Sequence, residues 1–320
     1  MATLIVGSEI IALMLKLDGN YAIQPNINMK SMELTGKIAI VTGANTGLGF
    51  ETALDLFQKG AKVYVGCRDE EKGLNAIERM KNSSESGGEL VLGLFDLGSI
   101  NSVKQFAEKI TATEQRLDFL VNNAGVMIPP ASKSEDGFEL QFGVNFIGHF
   151  TLTGQLFNLL ERTPNSRVVT LSSIAHRNAV IDFDNFRLEK EYNKWREYSQ
   201  SKLADLIFAI EFDKRLRANN YKTFSLAAHP GFSKTDLQKN MEKSMLDSLE
   251  LMTAKEGAQP TLAACLDPEA KSGQYWGPDG HNEQKGKPAL AKIDSVALNE
   301  ELNAKLWDWA KEITKTNFPF

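Results

Sequence analysis

This chain predicts a single α/β domain built around a doubly wound parallel sheet, and three observations carry that prediction. From Lys37 onward, short β-rich runs alternate with amphipathic stretches at helical spacing, the pattern of successive βαβ units. The first run, Ile38 to Val41, leads directly into Gly43, Gly47 and Gly49 and then into a helix. No internal repeat, low-complexity tract or Pro/Gly-rich linker divides the 320 residues, a length that can bury one large core.

The elements follow in order. Strands are read at 37–42, 62–66, 90–95, 117–122, 167–171 and 222–228. Glu51 to Gly60 reads as a helix closed by a glycine suited to its C-terminus, after which Ala61 to Val65 resumes as strand. Ser83 to Gly88 is a polar loop. Two long helices are expected, from about Asp136 to Glu161 and from about Glu197 to Ala218, with a last helix over about 297–313. Between them, the segment 233–256 has helical character and reads as a substrate loop; its Met241, Met245 and Met252 suit either an apolar ligand or core packing. The domain spans 32–320. Residues 1–31 read as a tail or a mis-assigned start, because the pattern begins naturally at Met29 or Met32. Their apolar run, Ile10 to Leu15, is bounded by Glu9, Lys16 and Asp18 and falls short of the ~20 residues of a membrane span. A basic n-region and a small-residue cleavage site are also missing there, which argues against a secretory signal.

Composition narrows the function. A net charge of −5 without a dense Lys/Arg block argues against nucleic acid or an anionic membrane as the main partner, and leaves a small molecule as the expected one. Cys67 and Cys265 cannot build a disulfide framework, and His149, His176, His229 and His281 have no metal-ligand spacing, so no metal is expected. A reducing cytoplasm fits this usage. The apolar residues of the second long helix, Leu203, Leu206, Ile207 and Ile210, serve equally for self-association or for packing on the sheet, so a homo-oligomer stays open.

Two motifs carry chemistry. Tyr198 and Lys202 stand four residues apart on a predicted helix and project from one face. An ammonium near a phenol favours the phenolate, which brings a group of ordinary pKa about 10 toward use as an acid/base. The turn after the first strand is the other motif. Its glycines let the backbone approach a pyrophosphate, and the helix that follows offers free N–H groups and a favourable dipole. The spacing Gly43-x3-Gly47-x-Gly49 lacks the Gly-Lys-Ser/Thr ending of a nucleotide-triphosphate loop, so ATP is not the expected ligand.

Thr42-Gly43-x3-Gly47-x-Gly49, Asn122-Asn123-Ala124-Gly125 and Tyr198-x3-Lys202, in that order, resemble the short-chain dehydrogenase/reductase family over about Leu34 to Gly277. Gly66-Cys67-Arg68-Asp69, Asn145 to Phe150 and His229-Pro230-Gly231 are most similar to its retinol-dehydrogenase-like branch and that branch's bacterial relatives. The resemblance implies a Rossmann-type fold and an NAD(P)-dependent oxidoreductase that interconverts a carbonyl and an alcohol. In such a site Tyr198 gives the proton, Lys202 lowers its pKa and holds the nicotinamide ribose, and Ser173, with Ser172 ranked second, orients the substrate oxygen. Asn145 matches the position that holds a relay water through a local irregularity of its helix. Gly43, Asn45, Thr46, Gly47, Leu48 and Gly49 would line the pyrophosphate. Asp96 and Leu97 would lie near the adenine, Asn122, Ala124 and Gly125 on the ribose side, and Pro230, Gly231 and Thr235 near the nicotinamide amide. A helix-start role competes for Asp96. The 24 residues Ile174 to Glu197, with Phe183, Phe186, Tyr192 and Trp195, are expected at the active-site rim.

An acidic residue at the end of the second strand would select NAD. That position reads as Cys67 followed by Arg68, whose guanidinium can grip a 2′-phosphate, so NADP is expected and NAD is the lesser candidate. If the strand ended two residues later, Asp69 would instead be the ribose residue of an NAD enzyme. Two other functions stay open at this point: a dinucleotide-binding regulatory protein of weak turnover, and an epimerase or dehydratase sharing the Tyr-Lys pair.

Overall fold

Ile38-Ala39-Ile40-Val41 is apolar on both faces, the signature of a strand covered on both sides, and it lies at the centre of the sheet. The computed structural model describes residues 33–84, 87–247 and 249–320, so the reading of residues 1–31 lies outside it, as does the side chain of Met245. Eight strands form one sheet in the order β3-β2-β1-β4-β5-β6-β7-β8. They are β1 (Ile38–Thr42), β2 (Lys62–Cys67), β3 (Glu89–Leu94), β4 (Phe119–Asn122), β5 (Arg167–Leu171), β6 (Phe224–Ala228), β7 (Tyr275–Pro278) and β8 (Pro288–Leu290). All neighbouring pairs are parallel except β7 with β8. The chain winds outward from β1 to β3, returns to β4 beside β1, and then winds the other way. That reversal opens a crevice at the carboxyl ends of β1 and β4, where Rossmann-type sheets bind ligands.

Helices cover both faces. On one face lie α1 (Gly47–Gln58), α2 (Glu70–Asn82) and, further along the chain, α8 (Gln259–Leu266). The other carries α3 (Ile100–Thr113), α4 (Gly148–Glu161), α5 (Lys194–Ala218) and α9 (Glu300–Thr314). Two apolar clusters result, one under each layer. Leu203, Leu206 and Ile207 of α5 are buried within the chain and Ile210 is partly buried, so packing on the sheet accounts for the apolar face of this helix. Among the described residues, no helix is long and apolar enough to cross a membrane.

Four expectations are corrected. β7 and β8 were not anticipated, because Tyr275-Trp276-Gly277-Pro278 is short and carries the two residues that weaken a strand reading. The helix expected from Asp136 starts later: Gly137 turns the chain at φ +81° and Glu139 bridges to Lys133. Helix then enters at Leu140 and passes through a π-helical stretch, Phe142–Ile147, before α4. The segment 233–256 is not a helix but a closed excursion. Short turns at Asp236–Asn240, α6 (Lys243–Asp247) and α7 (Ala254–Gly257) are each too brief to bury a face, and reciprocal N-terminal caps at Thr235 and Thr253 start two of them. Its ends are pinned together where Met252 donates to the Phe232 carbonyl and Lys234 donates to that of Met252, both at 2.8 Å. The helix expected over 297–313 begins at Glu300 with Asn299 as its cap, after a single 3-10 turn at Ser295–Leu298.

Candidate active site

The glycine turn is closed on itself. Gly43 (φ +64°) and Gly47 (φ +57°) hold left-handed backbone, and a methyl on Gly43 would stand 2.9 Å from the Ala124 Cα. A methyl on Gly49 would collide with the Gly43 carbonyl and the Asn123 side-chain amide. Helix α1 starts here without a side-chain cap and without an acid in its first turn. The Thr46 hydroxyl donates instead to Asp236 at 2.7 Å. A helix start whose N–H groups no side chain caps, at the positive end of the helix dipole, suits a pyrophosphate. Gly49→Ala is therefore expected to weaken dinucleotide binding at least about tenfold in a fluorescence titration with NADPH; unaltered affinity would contradict the placement of the phosphates at this turn.

β4 is latched to the same turn by the Thr42 hydroxyl, which accepts from the Asn123 N–H at 2.9 Å and the Ala124 N–H at 2.8 Å. The Asn123 side chain donates to the Thr42 carbonyl at 2.7 Å. Asn122, expected on the ribose side, is placed elsewhere: its side chain is buried below the sheet end and donates to Thr153 at 3.0 Å and Thr170 at 3.4 Å. β4 ends at Asn122, whose side chain is taken up by Thr153 and Thr170, while Gly125, beyond the strand, borders the crevice. Leu97 is likewise buried, its side chain packed over Gly148.

At the far end of the crevice β2 ends at Cys67, which is buried with its thiol toward the Asp69 carbonyl at 3.2 Å. Arg68 follows, its side chain 72% exposed and 3.7 Å from the Asp96 carboxylate. Asp69 caps α2 by accepting from the Lys72 N–H at 3.0 Å, a bond that holds its carboxyl below the ordinary range. Asp96 accepts from the Gly98 N–H at 2.7 Å, and the helix cap of α3 is Ser99 rather than Asp96.

The residues expected to transfer the proton lie where β5 meets α5. Ser173 follows β5 in extended backbone, and α5 sets Tyr198 and Lys202 on its sheet-facing side. Tyr198 is buried among Met127, Ile128, Ile174 and Ala175 and hydrogen-bonds Ser173. Burial pushes its phenol above the ordinary value, while Lys202 and Ser173 pull the other way. Lys202 Nζ donates to the Leu171 carbonyl at 2.9 Å and to Asp205 Oδ2 at 2.8 Å. Burial works against its ammonium, yet Asp205 and Tyr198 leave it raised. Ser172 is turned away and donates to the Lys202 carbonyl at 2.7 Å.

Asn145 sits in the π-helical stretch, the irregularity expected of its position. Its side chain is fully used: Oδ1 accepts from the Val126 N–H at 2.8 Å, and Nδ2 donates to the Val126 carbonyl at 3.0 Å and Ser201 at 2.9 Å. Its carbonyl accepts from His149 Nδ1 at 2.6 Å, which fixes the tautomer; His149 Nε2 then accepts from the Thr42 hydroxyl at 2.8 Å. Burial pushes the imidazole down to about 3, so it is neutral. His149 thus ties the Asn145 turn to the glycine turn. Sequence reasoning passed over both His149 and Asp205, although their spacings, four residues after Asn145 and three after Lys202, are the helical signal.

A cavity joins these parts. Leu48, Gly125, Ser173, Tyr198, Lys202, Pro230, Gly231 and Thr235 border it. Its apolar wall includes Trp195, Phe232, Leu237, Met241, Leu249 and Leu251. Thr235 stands directly over Gly47, 3.2 Å from where a methyl there would be. The rim expectation holds for Trp195 only in part of its segment: Phe186 stacks on Phe142 at 4.2 Å and Phe183 packs on Phe186, both away from the cavity beneath α9, and Tyr192 donates to the Pro129 carbonyl. Met252 is buried in the bridge that closes the segment 233–256. Among the described residues, no group of His, Cys, Asp and Glu could hold a metal.

Comparison with known proteins agrees with this geometry. The short chain dehydrogenase profile matches residues 37–246. Human retinol dehydrogenase 11 is 39% identical over 284 residues, covering 87% of this chain and 86% of its own length. Human retinol dehydrogenase 12 is 40% identical over 252 residues, with 77% and 79% covered. Among solved structures, an uncharacterised protein from Mycobacterium paratuberculosis superposes with a TM-score of 0.77 at 32% identity, covering 92% of this chain and 100% of its own. RhlG of Pseudomonas aeruginosa, solved as an NADP active-site complex, shares the fold at a TM-score of 0.61 and 23% identity, with 76% and 94% covered. The chain belongs to the short-chain dehydrogenase/reductase family and is an NAD(P)-dependent oxidoreductase of its retinol-dehydrogenase-like branch.

Proposed function

We propose that this enzyme uses NADP to interconvert an apolar carbonyl compound and its alcohol, with Tyr198 as the acid/base. The observation that carries the reading is that Ser173, Tyr198 and Lys202 line one cavity whose surface is otherwise largely apolar. The crevice fits the dinucleotide, because its turn has room only for glycine and its helix start is left uncapped. Gly43, Asn45, Thr46, Gly47, Leu48 and Gly49 would hold the pyrophosphate, Arg68 a 2′-phosphate, Asp96 the adenosine end and Lys202 the nicotinamide ribose. Ala124 and Gly125 would border the ribose, and Pro230, Gly231 and Thr235 the amide. When bound, the cofactor supplies or accepts the hydride. In the reductive direction Tyr198 donates a proton to the oxygen that gains charge, while Ser173 hydrogen-bonds that oxygen and places it. The wall from Trp195 to Leu251 excludes water and favours a long apolar substrate, in line with relatives named for retinol.

The test is consumption of NADPH and NADH against a panel running from short polar aldehydes and ketones to long apolar ones, retinal included. Turnover is expected with NADPH and to rise in kcat/KM with apolar chain length. Tight NADPH binding without turnover on any member would favour a regulatory dinucleotide-binding protein instead.

A further inference from the structure

Lys202 and Asp205 form an ion pair of 2.8 Å whose side chains are 6% and 2% exposed, about one and two turns along α5 from Tyr198. The ammonium has three N–H bonds. One goes to the Leu171 carbonyl and one to Asp205, which leaves the third for the cavity side. Asp205 Oδ1 is buried with no hydrogen-bond partner. A buried carboxylate satisfied on one oxygen costs stability, so the reason for an acid here lies in its action on Lys202. We propose that Asp205 is a charge-compensating positioning residue: it orients Lys202 and offsets the ammonium's pull on Tyr198, which keeps the tyrosine a phenol and biases the site toward giving a proton to a carbonyl. This rests on the oxidoreductase reading above and adds a direction to it.

The surroundings leave these three groups to settle the charge among themselves. The charges acting on Tyr198 are those of Lys202 and Asp205. From the α4 side His149 is neutral, pushed down to about 3 by burial. From β7, Tyr275 is held in its phenol form by burial, and beyond it Glu283 is paired with Arg177 at 2.5 Å and faces His229 at 3.0 Å. Burial pushes the Asp205 carboxyl up to about 6 against the pull of Lys202, so compensation is present above that pH and lost below it. Without Asp205, Lys202 keeps the Leu171 carbonyl as an acceptor, and its ammonium faces Tyr198 without a neighbouring carboxylate. The uncompensated ammonium then favours the phenolate.

Asp205→Asn keeps the shape and an acceptor oxygen while removing the charge. Tyrosinate formation is followed by ultraviolet difference titration, with Tyr198→Phe subtracted in each background, and needs no turnover. Tyr198 is expected to ionise about one pH unit lower in Asp205→Asn than in the parent. Asp205→Glu should restore the parent titration, and Asp205→Ser should behave as Asp205→Asn should the latter not fold. In turnover the alkaline limb of reductive kcat/KM should move down by the same amount. A titration that is unchanged or moves up overturns the proposal. A downward shift in a protein that turns over no carbonyl supports it and defeats the substrate reading alone.

Discussion

Tyr198→Phe is expected to lower kcat for carbonyl reduction by about 10²- to 10⁴-fold, the usual contribution of a positioned general acid, while NADPH affinity stays within a few-fold of the parent. The asymmetry follows from what is removed. The ring, packed among Met127, Ile128, Ile174 and Ala175, is retained, so the cavity wall keeps its shape. Only the hydroxyl that meets Ser173 is lost. Lys202→Ala should behave differently and impair both turnover and binding, because the same Nζ fastens α5 to the end of β5 and is proposed to hold the ribose. The pH dependence has a definite sign. With burial holding Tyr198 above its ordinary value, the protonated form is the resting one, so reduction is favoured at neutral pH and falls as pH rises through the phenol's pKa, whereas oxidation of an alcohol rises over the same range. Steady-state rates and binding titrations on parent and variants settle the first point. Activity of Tyr198→Phe within a few-fold of the parent would mean the proton comes from another group.

Legibility in the sequence followed physical locality. The inner strands were readable because a strand covered on both faces is a run of apolar residues with turn residues at its ends, as in Ile38–Thr42 and Arg167–Leu171. Tyr198 and Lys202 were readable because helical spacing alone puts them on one face, and the glycine turn because its constraint is steric and local. What failed depended on contacts far along the chain. β7 and β8 become strands only by adding to β6, across a segment whose own composition is neutral. The inward turn of Asn122 rests on Thr153 and Thr170, 31 and 48 residues away. The broken segment 233–256 is held by a bridge between its two ends. His149 reads as a lone histidine in the sequence because its partner, the Thr42 hydroxyl, lies 107 residues upstream. Asp205 was the exception: the spacing to Lys202 was visible, but an i,i+3 pair on a helix reads as a solvated surface contact until burial is known.

Arg68→Ala is expected to raise the NADPH Michaelis constant about ten- to a hundredfold with little change for NADH, the loss of about 1.5–3 kcal/mol carried by hydrogen bonds to a charged group. Three placements support that size. β2 ends at Cys67, so Arg68 is the first side chain free of the ladder. Its present partner, Asp96, is 3.7 Å away and both groups are substantially exposed, so the pair is worth about 0–1 kcal/mol and yields readily to a phosphate. Asp69, the rival for the ribose, already accepts from the start of α2. Cys67→Asp should push preference toward NADH, but its effect is mixed: the Cys67 side chain is buried near the Asp69 carbonyl, and a carboxylate there also costs stability. Arg68→Ala changes an exposed side chain and leaves the fold alone, which makes it the cleaner variant. The measurement is kcat/KM for NADPH and NADH with one carbonyl substrate on parent and variant. A parent that prefers NADH, together with an Arg68→Ala enzyme indifferent between the two, would mean that Asp69 leaves its cap to bind the ribose; Asp69→Asn should then cost affinity for NADH, whereas an Asp69 committed to α2 leaves NADH binding unchanged.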